Sequence, residues 1–112
     1  MKIIIPLSGG KLTAHFGHCS EFACLDLDAE NREVVTEVRL PAPSHEPGLL
    51  PKWLAERGAD LVIAGGMGQR AQDLLVAQGV DVIVGAPELE PADIVAKWVN
   101  GELASGKNSC DH

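Results

Sequence analysis

The 112-residue sequence has no apolar run approaching the roughly 20 residues that a membrane-crossing helix requires. Its N-terminal stretch from Ile3 to Leu7, interrupted by Pro6, is too short for the h-region of a signal peptide. A cytoplasmic protein with no membrane partner is therefore expected. Basic residues are also scarce. Nine Lys plus Arg stand against sixteen Asp plus Glu, a net charge of -7 at pH 7. Such an average surface repels a phosphate backbone, so nucleic acid is not an expected partner either. Three cysteines, an odd number without an export signal, fit free thiols or metal ligands rather than a disulfide framework. A catalytic set is missing as well: there is no serine elbow, and no pair of acids is placed by spacing at strand ends. Binding is favoured over turnover, and no enzyme activity is expected.

What is present is the material for one core. At 46% hydrophobic and 22% charged, the chain reads as a single globular domain. Lys2 to Ile5 forms a buried strand, closed by Pro6-Leu7 and then Ser8-Gly9-Gly10. Glu21 to Asp28 and Arg32 to Leu40 form a hairpin about Ala29-Glu30-Asn31, its second, charged strand at an edge. Pro41 to Pro47 is a loop, because proline lacks a donor and restrains its predecessor. Leu50, Trp53 and Leu54 then share a helical face that ends at Gly58, and Asp60 to Ala64 is a strand. Ala71, Leu74, Leu75 and Gln78 make the next helical stripe before Gly79, and Asp81 to Val84 is another strand. Pro91 starts a last helix with Ile94, Val95, Trp98 and Val99 inward, and Asn100-Gly101 ends it. This divides the chain into a domain over residues 1–101 and a polar tail over residues 102–112. The order predicts five strands, mostly parallel with one antiparallel member, and puts Ile3–Ile5, Leu61–Ile63 and Val82–Val84 in the middle.

Two glycine-rich turns follow strand ends, Ser8-Gly9-Gly10-Lys11 and Gly65-Gly66-Met67-Gly68-Gln69-Arg70. Glycine lets backbone amides approach a ligand, and a helix start adds about half a positive charge. The bland alternative is that glycines only make tight turns. The second turn formally matches a dinucleotide fingerprint, but it follows the fourth strand instead of the first, and the next strand ends in Val84-Gly85 without a ribose-binding acid.

The most specific short stretch is His15-Phe16-Gly17-His18-Cys19. Imidazole and thiolate together suit copper, zinc or iron and poorly suit magnesium or calcium. The stretch lacks the paired spacing of a closed zinc site, and three cysteines cannot supply the four thiolates of an iron-sulfur site. Cys24, beside Phe22 and Leu25, is expected to be a small buried hydrophobe. Cys110 and His112 sit in the tail, and His45 in the proline loop is expected to be solvated.

With His15-Phe16-Gly17, the strand start Glu21-Phe22 and Gly65-Gly66-Met67-Gly68-Gln69-Arg70-Ala71 in view, the chain resembles the nitrogenase iron-molybdenum-cofactor biosynthesis and carrier family, which includes NifX and NafY type carriers and the C-terminal domain of NifB. The resemblance extends up to the polar tail. It implies a ribonuclease-H-like, three-layer α/β/α fold with a five-stranded mixed sheet containing one antiparallel strand. It also implies noncovalent binding, assembly or transfer of an anionic metal-sulfide cluster. Many relatives have Arg and a small residue where this chain has His18-Cys19. That departure points to a molybdenum-copper sulfide cluster, with the iron-molybdenum cofactor or a copper ion as alternatives. The expected site holds the cluster over both glycine turns, on Ser8, Gly9 and Gly10 and on Gly65, Gly66, Met67 and Gly68. Lys11 and Arg70 supply charge, and His15, His18 and Cys19 line the other wall. A cluster-accepting protein is then a partner. The competing reading is a metal-free interaction module that partners a ParA-type cytosolic ATPase. A nuclease reading by fold analogy is weak, because Lys2 to Pro6 holds no carboxylate for divalent metals.

Overall fold

The computed structural model describes residues 1–43 and 48–103, so His45, Cys110 and His112 lie outside the described residues. Strand β1 (Lys2–Ser8) buries Ile3, Ile4, Ile5 and Leu7 completely. It runs three residues beyond the expected end at Ile5, straight through Pro6. Backbone direction explains the tolerance. The Pro6 carbonyl accepts from the Thr13 amide at 3.0 Å, so the nitrogen of Pro6 also faces that side and not the neighbouring strand β3 (Glu21–Leu27). The missing donor therefore costs no bond of the β1–β3 ladder.

A two-residue strand β2 (Lys11–Leu12) folds back on β1, and a 3-10 turn (Phe16–His18) leads into β3. β3 pairs antiparallel with β1 and with β4 (Val34–Pro41). The β3–β4 turn is fixed by Asp28, whose carboxylate accepts from the amides of Glu30 at 2.8 Å and Asn31 at 3.2 Å, holding it below the usual carboxylate range. Arg32 takes the left-handed conformation there (φ 58) and lays its guanidinium 5.1 Å from the Trp98 ring centroid.

Helix α1 (Leu49–Glu56), β5 (Leu61–Ile63), α2 (Gln69–Ala77), β6 (Asp81–Ile83) and α3 (Pro91–Val99) complete the chain order. The sheet order is β4-β3-β1-β5-β6, with β1–β5 and β5–β6 parallel. β3 is thus the one antiparallel member of the five principal strands, and the architecture is the ribonuclease-H-like mixed α/β fold. Successive residues of β1 feed opposite cores. Ile4 joins Phe22, Leu54, Val62, Met67 and Leu75 beneath α1 and α2, whereas Ile3 and Ile5 join Leu25, Ile63, Ile94 and Val95 beneath α3. Burial of both sheet faces creates the three layers. β6 is an edge strand and not a central one: Val82 and Ile83 are only partly covered, a degree of burial that an apolar run does not disclose. β4 is the other edge, as its charges predict. Leu103 packs on the α3 side, so ordered packing continues past Gly101.

Candidate functional site

The first glycine turn is accounted for by local geometry. Ser8 pairs with Lys11 and Leu7 with Leu12, leaving Gly9 and Gly10 as the two-residue loop of a hairpin. Both have positive φ, +63° and +82°, which is what a type I′ turn demands of its central residues. The hairpin also changes the sheet end. β5 pairs with β1 only at Ile3 and Ile4, and beyond that point β2 and the Thr13 amide take the β1 edge. The crevice that an open α/β sheet forms beyond the carboxyl ends of its strands is taken up at β1 and β5 by the chain's own residues 11–16.

The second glycine turn accommodates that filling. A Cβ on Gly65 would lie 2.8 Å from the Thr13 carbonyl oxygen and 3.0 Å from Ala14 Cα, so glycine here permits backbone to approach backbone. Gly66 donates to the Ala14 carbonyl at 2.6 Å and accepts from the Phe16 amide at 2.9 Å, forming a parallel bridge with His15. This corrects the expectation of a free Gly66 amide aimed at a ligand, because the donor is engaged inside the fold. Met67 is corrected too. Its side chain is fully buried in the core under α1 and α2, and its carbonyl accepts from Gln72 Nε2 at 2.9 Å.

The same bridge brings two of the expected elements together. It ties His15 to the loop that opens α2, and the following 3-10 turn places the His18 ring 5.7 Å from the His15 ring. Both histidines are exposed, and the turn is anchored by buried Phe16, whose ring lies 6.3 Å from that of Phe22. Cys19 departs from this arrangement. It is 2% exposed and packs in the core, and burial pushes its thiol up to about 11 despite an opposing backbone hydrogen bond. At neutral pH it is a protonated core thiol, so the expected wall of His15, His18 and Cys19 reduces to the two imidazoles. Among the described residues, no group of three His, Cys, Asp or Glu side chains is placed to hold a metal ion. Cys24 is buried in β3 with its thiol raised by burial, as expected of a small hydrophobe.

The start of α2 is a further source of backbone donors. Gly68 is its N-cap in extended conformation (φ -61°, ψ 150°), with no side-chain cap and no acid in the first turn. The Gly68 carbonyl accepts from Gln72 at 3.2 Å, so the amides of Gln69, Arg70 and Ala71 precede the intrahelical ladder. Arg70 and Lys11 are exposed and enter no ion pair among the described residues. Two contributors escape sequence reasoning. Gln72 braces the loop, a role invisible in a residue one turn into a helix. Arg39 reaches across Ala23 so that a Cβ on Gly10 would lie 3.6 Å from its guanidinium, held by long exposed ion pairs to Glu21 at 3.7 Å and Glu37 at 3.5 Å. Only the pairing register reveals it. No helix among the described residues is long and apolar enough to cross a membrane.

Known proteins share this arrangement of elements. The protein PH0822 superposes with a TM-score of 0.84 at 26% identity, over 94% of each chain. The apo form of the orange protein from Desulfovibrio gigas gives a TM-score of 0.73 at 23% identity over 96% of each chain, a likeness of fold. An uncharacterized protein of Methanocaldococcus jannaschii is 24% identical over 85 residues, 73% of this chain and 72% of its own. Residues 1–101 match the family described as dinitrogenase iron-molybdenum cofactor, and the chain belongs to that family.

Proposed function

We propose that this chain is a carrier that binds an anionic metal-sulfide cluster, of the molybdenum-copper sulfide type, between the His15–His18 pair and the first turn of α2. The observation that carries the reading is the backbone bridge between His15 and Gly66, a residue three positions before Gln69 at an uncapped helix start. A sulfide cluster brings its own soft ligands and its own negative charge. Its host needs hydrogen-bond donors, positive potential and an imidazole for a copper edge, and a thiolate ligand is dispensable. The amides of Gln69, Arg70 and Ala71 and the Arg70 guanidinium meet the first two needs, with Lys11 as a flanking cation. Ser8, Gly9, Gly10, Gly65, Gly66 and Met67 act by shaping the backbone. No bond of the cargo is broken in such a site, so the protein delivers the cluster to an accepting protein without turnover. The iron-molybdenum cofactor is the alternative cargo supported by the family. The reading of a module for a ParA-type ATPase has no feature among the described residues in its favour.

The test is reconstitution of apo-protein with tetrathiomolybdate and copper, followed by visible absorption. The parent forms a saturable chromophore. His15→Ala and His18→Ala each weaken binding about tenfold, in line with the loss of one ligand-orienting contact, whereas Cys19→Ser leaves the spectrum unchanged. Failure of the parent protein to form a chromophore overturns the cluster reading. Unchanged binding in both histidine variants overturns the site.

A further inference from the structure

Strand β4 ends the sheet, and seven of its eight residues are exposed. Val34, Val35 and Val38 are 43%, 67% and 51% exposed, an unusual display of β-branched side chains on an open edge. The register fixes which backbone groups are open. Ala42 donates to the Ser20 carbonyl at 3.1 Å, and Leu40, Val38 and Thr36 stand opposite Phe22, Cys24 and Asp26. These even-numbered residues aim their backbone at β3, so Glu37 and Arg39 present theirs to solvent.

We propose that β4 docks edge to edge and antiparallel against β4 of a second copy of this chain, with Val38 on the twofold axis. Open groups must face open groups, which leaves three central registers: Glu37 opposite itself, Arg39 opposite itself, or Glu37 opposite the partner's Arg39. The first two set like charges against each other, and the third sets opposite charges twice over. In that register the Glu37 amide donates to the carbonyl of the partner's Arg39, and the Arg39 amide donates to the carbonyl of the partner's Glu37. Val38 meets the partner's Val38 in the narrow pair, where Cα atoms approach to about 4.5 Å and branched side chains pack well. Pro41, lacking a donor, ends the ladder opposite the partner's Val35. Among the described residues the Arg39 guanidinium makes two ion pairs, both long and exposed, which hold it weakly enough for it to turn outward.

Analytical ultracentrifugation in reducing buffer tests this, at protein concentrations up to about 1 mM. The parent chain is expected to sediment as twice 11.8 kDa at the upper concentrations. Glu37→Arg alone and Arg39→Glu alone each set like charges across the axis and weaken association about tenfold. The double variant Glu37→Arg with Arg39→Glu restores it to within about threefold of the parent, since the pairing is only reversed. Both positions of change are solvent-exposed, and circular dichroism confirms the fold. A parent chain that stays monomeric throughout, or a dimer indifferent to both single exchanges, overturns the proposal.

Discussion

Gly65 shows how a single absent carbon shapes the site. The Thr13 carbonyl and Ala14 Cα crowd the place where its Cβ would stand, and both are backbone atoms, which cannot swing aside as the end of a flexible side chain can. Gly65→Ala is therefore expected to cost about 1–3 kcal/mol, as overpacking does. In a domain of this size that lowers the melting temperature by about 4–8 °C per kcal/mol, read by calorimetry. Cys19 makes a second prediction. Its thiol titrates at 9.0 ordinarily and at about 11 in the fold, so the folded chain holds the proton more tightly. The resulting contribution to stability is fully present below pH 9 and is lost as pH rises toward 11. Cys19→Ala lowers the melting temperature at neutral pH by creating a cavity, yet flattens its fall between pH 9 and 11 relative to the parent. At this scale the sequence disclosed His15 and His18 as neighbours by their spacing. It did not disclose that the short turn points Cys19 inward, because two residue types of equal chemical promise differ there only in which way the backbone faces.

The start of α2 offers a test that separates helix stability from anion binding. Gly68 already has the extended conformation of an N-cap, but no side chain caps the helix. Gly68→Asp gives it a carboxylate acceptor and is expected to stabilise the fold by a few tenths of a kcal/mol. The same negative charge occupies the donors that the proposed cluster site uses. Thermal stability should rise slightly while cluster binding falls at least about tenfold, a pairing that generic damage to the fold does not produce. Equal binding by the variant would remove the helix start from the site. Most elements were legible from periodicity and punctuation, such as the helix ends at Gly58 and Gly101, both with positive φ. The extension of β1 through Pro6 was not, since it depends on which neighbour lies on the side of the missing donor. The tiny strand β2 was hidden as well, because two residues carry no period.

For the whole molecule, the apolar runs announced a sheet covered on both faces, and the charges of Glu37 and Arg39 announced an edge. Strand order was less legible: Val82 and Ile83 read like central residues, yet β6 lies at the border with one neighbour. The folding of residues 11–16 into the crevice between β1 and β5 was not legible at all. It engages the Gly66 amide inside the fold, and on the proposed reading the anion-attracting surface of a chain carrying -7 charges is the start of α2 together with the two histidines. The most direct measurement of this claim is a nitrogen-15 NMR titration of the apo chain with copper and tetrathiomolybdate. Saturating shifts are expected at the amides of Gln69, Arg70 and Ala71 and at the rings of His15 and His18, with Gly9 and Gly10 undisturbed. Shifts confined to Gly9 and Gly10, or none that saturate, would contradict it.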